Sequence, residues 1–221
     1  MKSYNLGWYV DKLKRGERFS LARYGDGEMY CMWGRQGHNS NGCRYSTELR
    51  ESLVKSMCHF RDETFIYGMQ RVLPRDRERF EKDYPCIEFN NSEIFSEAVA
   101  NGELYPLIEQ LRKMKCVLIG NNTLKPVAEK VLNCVFFEIP PTNSYDIANV
   151  IKMAVNEPGT VYLFSAGMGA NAIIGELHGS IDCWMIDLGH IWDPFVGLMS
   201  RCDLEGKTKE EIEKNLHEKI E

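Results

Sequence analysis

Four times between residues 115 and 195 the chain repeats one pattern: a short apolar run, a loop of small or polar residues, then a stretch of different rhythm. The runs are Lys115–Ile119 (KCVLI), Cys134–Ile139 (CVFFEI), Thr160–Phe164 (TVYLF) and Asp182–Ile186 (DCWMI). Each is too short for a helix and rich in β-branched or aromatic residues. Successive strand–loop–helix units with short connections dictate a Rossmann-like α/β fold, a mostly parallel sheet with helices on both faces. Ligands of such sheets bind beyond the carboxyl ends of the strands. The loops there are GNN, PPTNS, SAGMG and DLGH, and they should line one crevice.

The first half of the chain fits the same plan. A strand over Arg18–Arg23 runs into Tyr24-Gly25-Asp26-Gly27-Glu28, read here as a polar turn. Leu49, Leu53 and Met57 mark a helix over Ser46–His59. Thr64–Tyr67 reads as a strand, Arg75–Lys82 as a charged helix, and further helices start at Ser92 and Glu103. In the second half, Thr123 should cap a helix over Leu124–Leu132, and Asn143 or Ser144 one reaching about Asn156. A helix follows SAGMG to about His178, and a last one, about Thr208–Ile220, carries Ile212, Leu216 and Ile220 on one stripe. No linker or repeat divides the 221 residues, so a single domain over 1–221 is expected.

Composition narrows the function. No run approaches the 18 apolar residues of a membrane helix, and Met1–Val10 has no signal-type apolar core, so a cytoplasmic protein is expected. The net charge of -5 disfavours nucleic acid as a partner. Residues 1–60 nevertheless hold ten Lys/Arg against six Asp/Glu, a balance that suits an anionic small molecule or simply a solvated surface. The eight cysteines have no metal-ribbon spacing and read as buried free thiols filling the core.

Several constellations carry chemistry. Asp26 and Glu28 lie at i and i+2 around a glycine, and in extended or tight-turn geometry both could converge on one hard cation. Gly25 would let the backbone approach a ligand and Arg23 offers a fork for a phosphate, though a plain polar turn explains the same residues. Ser165 opens SAGMGANA, where Gly167-x-Gly169-x-x-Ala172 fits a phosphate-cradling fingerprint. Asp187 follows at the ribose-binding distance, and a close-packed helix start is the competing account. His190, beside Gly189 and near Asp187 and Asp193, suits metal ligation or proton transfer. The Pro140–Tyr145 turn can present Asn143 and an aromatic ring to a base. The loop GRQGHNSNGC, with His38, has the composition of a lid, and His59, His178 and His217 read as surface or helix-end residues.

In order along residues 18–195, these segments resemble the GT-D fold glycosyltransferases: FSLARYGDGE with its D-x-E, IPPTNSYDI, and the ending SAGMGANAIIGEL…CWMIDLGHIWDPF with its Asp-x-Gly-His. The resemblance implies the GT-D type fold and a transferase using a UDP-sugar, UDP-glucose by analogy. The acceptor would be a hydroxyl of a glycan or glycoprotein, and the cofactor Mn²⁺ or Mg²⁺. It implies Asp26 and Glu28 as metal ligands, with His190 a further one. Arg23 and the Gly167 and Gly169 amides would hold the phosphates. Gly25 and Ser165 would lie against the donor, and Asn121 and Asn143 would position base or ribose. Asp187, Asp193 and Glu28 are the carboxylates available for catalysis. Two other readings stay open: a Rossmann-type oxidoreductase or methyltransferase using the Gly167 loop, and a non-catalytic sugar-nucleotide-binding module.

Overall fold

The computed structural model describes residues 4–59, 62–198 and 209–217. Seven strands form one sheet: β1 (Ser20–Tyr24), β2 (Phe65–Met69), β3 (Phe89–Asn91), β4 (Cys116–Gly120), β5 (Val135–Glu138), β6 (Val161–Ser165) and β7 (Trp184–Asp187). Their order is β3-β2-β1-β7-β6-β4-β5, and all six pairings are parallel. The central strands are buried along their length, whereas β5, at the edge, leaves Val135 and Glu138 exposed. Parallel sheets need cover on both faces, and this one has it.

The helices are α1 (Leu6–Lys14), α2 (Asp26–Met32), α3 (Thr47–His59), α4 (Pro74–Asp83), α5 (Ile94–Asn101), α6 (Tyr105–Leu111), α7 (Ala148–Ala154), α8 (Met168–Leu177) and α9 (Lys209–His217). On one face Tyr9 and Leu13 of α1, Phe95 of α5, Ile108 of α6 and Ile212 and Leu216 of α9 pack with Leu21, Leu118 and Leu163. On the other, Met29 of α2, Leu53 of α3, Phe80 of α4, Ile151 of α7 and Ile173 of α8 pack with Ala22, Tyr67 and Phe164. No helix among the described residues is long and apolar enough to cross a membrane.

Some elements depart from the sequence reading. Asp26-Gly27-Glu28 is no turn: it opens α2. The charges there suit the positive end of a helix, and Glu28 accepts from the Gly25 amide at 2.9 Å. The segment after Thr123 is a 3₁₀ turn, Asn122–Leu124, followed by a π-helical stretch, Val127–Leu132. The capping oxygen is Oδ1 of Asn121, which accepts from the Thr123 amide at 3.0 Å. Asn143 caps nothing; it sits at φ 54° before a 3₁₀ turn, Ser144–Ile147, and accepts from the Arg44 amide at 2.7 Å. The short β3, the helix α1 and a 3₁₀ segment, Gly189–Val196, lie where the sequence pattern is weakest.

Of the last helix, only Lys209–His217 falls within the described residues; Thr208, the stretch 218–220 and Cys202 lie outside them. Of the seven described cysteines, all free, Cys58 and Cys86 are exposed rather than core filling. His178 ends α8, but its side chain is buried against Ser20, Asp62 and Phe65, and burial holds its pKa below the usual value.

Candidate functional site

The carboxyl ends of β4, β6 and β7 do share one crevice. It is lined by Asn121 after β4, Pro140 and Pro141 after β5, Ser165 at the end of β6 and Gly167 beyond it, and His190 and Asp193 after β7. Loop chemistry explains the convergence: every strand points the same way, so every following loop emerges at the same edge. The inner chamber measures about 50 Å³. It adjoins an open cleft of about 540 Å³ bounded by Asn121–Thr123 and Glu138–Pro141. Pockets for nucleotide-sized ligands run to roughly 300–1,000 Å³.

The inner chamber is small because the loop joining α2 to α3 covers it. Asn39 shapes that loop, its Oδ1 accepting from the amides of Asn41 (3.0 Å) and Cys43 (2.9 Å). The loop is fastened at two places. Asn41 Nδ2 meets His190 Nε2 at 3.0 Å, and Arg44 bonds Asn143 through its amide and Asp146 through its guanidinium at 3.3 Å. The lid-like composition of this segment therefore corresponds to a real cover over the crevice.

Beneath and beside the crevice lies a second polar group, and it holds residues the sequence had placed at the ligand. Arg23, 5% exposed, forks onto Asp187 with contacts of 3.2 and 3.5 Å. Asp187 Oδ1 also accepts from the Gly189 amide at 3.0 Å. Gly189 has φ 52°, and a Cβ there would displace the Arg23 guanidinium from its place against Asp187. In this structure the Arg23 fork is spent on a buried carboxylate, not held out to a phosphate. Asp187 is 3% exposed and accepts through both oxygens within the protein, so it faces Arg23 and Gly189 and does not line the crevice.

Asn171, which the sequence reading passed over, ties this group together. Its amide accepts from the Arg23 amide at 2.9 Å and donates to the Arg23 carbonyl and, at 3.2 Å, to Glu28 Oε1. An asparagine inside an otherwise small and apolar helix start is the signal in the sequence, and the fold leaves it 1% exposed. Glu28 is therefore buried, and burial pushes its pKa up to about 7, with Asp187 and Asp26 adding repulsion against its hydrogen bond from Gly25. Asp26 is exposed, and its Oδ1 accepts from the Gly27 amide at 2.8 Å. Positions i and i+2 of a helix point roughly 200° apart, so Asp26 and Glu28 diverge instead of converging on a cation. Among the described residues no three His, Cys, Asp or Glu side chains gather into a metal-holding group.

The remaining residues divide in the same way. Gly167, at φ 55° before α8, lines the crevice. Gly169 does not: a Cβ there would strike Ser144 Oγ and lie 3.0 Å from the Tyr145 amide, so it is a close-packing glycine. Gly25 is buried against Gln70 and Glu28. Ser165 Oγ donates to the Gly189 carbonyl at 2.8 Å, which joins the β6 and β7 ends. His190 Nδ1 meets Asp193 Oδ2 at 2.9 Å, with the imidazole 35% exposed and the carboxylate 10%.

Comparison with known proteins bears on the fold. No protein-family model matches the sequence, nor does any curated protein. Two solved structures of the domain of unknown function 1792 match all of this chain and 90% of theirs, each at 18% identity. One is a selenomethionine-substituted structure, with a TM-score of 0.68. The other, at 0.67, is of that domain described as highly conserved and as having a distinct glycosyltransferase fold. At this identity the likeness carries the fold alone, and the fold is the distinct glycosyltransferase type that the Arg23–Glu28 and Asp187–His190 segments led us to expect.

Proposed function

We propose that the chain is a glycosyltransferase that moves a hexosyl group, glucose by the resemblance, from a UDP-sugar to a hydroxyl of a glycan or glycoprotein. The observation that carries the reading is the crevice at the strand ends of a glycosyltransferase fold, with Gly167, Asn121 and the His190–Asp193 pair on its walls. The open cleft beside Asn121 has room for a nucleoside. The amides at the start of α8 favour a diphosphate, because a helix N-terminus carries partial positive charge. Asn143 fastens the covering loop through the Arg44 amide, and a base or ribose would compete with that contact for its Oδ1.

The ion fits in a reduced form. With Glu28 turned inward, Asp26 is the exposed carboxylate of the pair and would be the protein group to hold Mn²⁺ or Mg²⁺. Diphosphate oxygens and water would have to complete its shell, the usual way Mg²⁺ is held. Such an ion supplies positive charge against a departing diphosphate. A dinucleotide or methyl-donor reading finds less support, because its ribose acid, Asp187, is engaged by Arg23 and Gly189.

A thermal-shift series with UDP, UDP-glucose, NAD⁺ and S-adenosylmethionine, each with and without MnCl₂, tests the reading. UDP at a hundredfold excess over Kd should stabilise by about 2.7 kcal/mol. Asp26→Asn should keep the fold and lose the Mn²⁺-dependent part of the UDP response. A shift with NAD⁺ or S-adenosylmethionine and silence with UDP would sink the proposal.

A further inference from the structure

We infer that His190 is the group that takes the proton of the acceptor hydroxyl, that Asp193 positions it, and that Asn41 occupies the place of that hydroxyl in this structure. The inference rests on the glycosyltransferase reading and gives His190 the proton in place of the metal-ligand role that the resemblance implied, because Nδ1 faces Asp193 and Nε2 faces Asn41.

Three candidates line the inner chamber with a titratable side chain: Cys43, His190 and Asp193. Burial pushes the Cys43 thiol up, which keeps it protonated. Asp193 stands behind the imidazole, 2.9 Å from Nδ1. A carboxylate accepts and does not donate, so Nδ1 carries the hydrogen and Nε2 presents its lone pair. Nε2 is the atom turned to Asn41, and an amide Nδ2 at 3.0 Å is a donor to it. The chamber thus already holds a donor where a hydroxyl group would have to sit. The carboxylates outside the chamber are committed: Asp187 to Arg23 and Gly189, Glu28 to Gly25 and Asn171.

The step balances. The acceptor oxygen bonds to the anomeric carbon as that carbon's bond to the diphosphate oxygen breaks. The bonding pair leaves with the diphosphate, and the hydroxyl proton passes to His190 Nε2. The imidazolium that results faces Asp193 through Nδ1–H. In this arrangement His190 is the catalytic residue and Asp193 the positioning residue. The covering loop must withdraw Asn41 before the acceptor enters, so the cover and the acceptor compete for one lone pair.

The experiment uses the full chain with UDP-[¹⁴C]glucose and MnCl₂, water serving as the acceptor. UDP affinity is measured by calorimetry, and the His190 tautomer by ¹⁵N NMR. His190→Gln should lower hydrolysis at least about a hundredfold, the scale of general-base catalysis, with UDP affinity within about threefold of wild type. Asp193→Asn should slow hydrolysis less and bring in the Nε2–H tautomer, since its amide can donate to Nδ1; Asp193→Glu should restore the Nδ1–H form. Asn41→Ala should raise hydrolysis, and a fall would overturn its place-holding role. Wild-type hydrolysis in His190→Gln, or an Nε2–H tautomer in the wild type, overturns the dyad and leaves the glycosyltransferase reading standing. A wild type that binds UDP without hydrolysing UDP-glucose is decided by the tautomer. A wild type that neither binds UDP nor hydrolyses the sugar overturns both.

Discussion

Two polar clusters lie side by side at the carboxyl edge of the sheet, and water reaches one of them. Arg23, Glu28, Asn171 and Asp187 are each at most 8% exposed and bond to one another and to backbone. Asn121, Ser165 and His190 are half-buried and, with the buried Asp193, line a crevice. Sequence spacing alone treats them alike, because both stand just past strand ends. The difference is that the first cluster's charges are answered inside the protein, whereas the second keeps a histidine nitrogen turned to a loop that covers it. One cluster is a joint between β1 and β7; the other is where a ligand can arrive.

The contrast can be broken by mutation, and its largest effect belongs to the joint. Arg23→Ala strands the Asp187 charge in the interior and should cost about 3–5 kcal/mol in urea denaturation. The double change Arg23→Met with Asp187→Leu should recover most of that. A single-mutant loss under about 1 kcal/mol would show that the pair is not the joint described.

A smaller effect, with a definite sign, concerns Glu28. Its folded pKa stands at about 7, above the unfolded value of 4.5. The folded chain therefore binds the extra proton between those values. Stability from this group is fully present below pH 4.5 and is lost as pH rises through 7. The loss amounts to at most roughly 3–4 kcal/mol, at about 1.36 kcal/mol per unit. Glu28→Gln should flatten that slope and leave the mutant the more stable chain at pH 8. Denaturation curves from pH 5 to 8 decide it, and an unchanged slope would place the carboxyl in water.

The smallest effect on stability belongs to the crevice. Ser165→Ala removes a hydrogen bond to the Gly189 carbonyl and should cost about 1 kcal/mol in urea denaturation. A loss of stability as large as that of Arg23→Ala would erase the distinction between the clusters.

Much of this was legible beforehand because strand period and loop polarity are local properties. The runs at 115–119, 134–139 and 160–164 became β4, β5 and β6 with shifts of a residue or so, and their loops met as expected. What escaped was non-local. Nothing within Arg23–Glu28 says that Asn171, 148 residues from Arg23, will bond its backbone on both sides. Nor does a D-x-E tripeptide announce whether it is a turn or the first turn of a helix, yet that choice decides whether its carboxylates converge. Gly169 looked like a phosphate glycine because close approach to a ligand and close approach to Ser144 make the same demand on the chain.

The joint also has a bearing on how the chain folds. β1 lies between β2 and β7, and its Arg23 meets a partner 164 positions away. Closing so long a segment costs only about 2 kcal/mol more than closing one of about 15 residues, so the thermodynamic burden is light. Timing is where it tells: non-local strand pairs form late. During synthesis β1 stays unpaired on one side until the five strands between it and β7, and β7 itself, have been made.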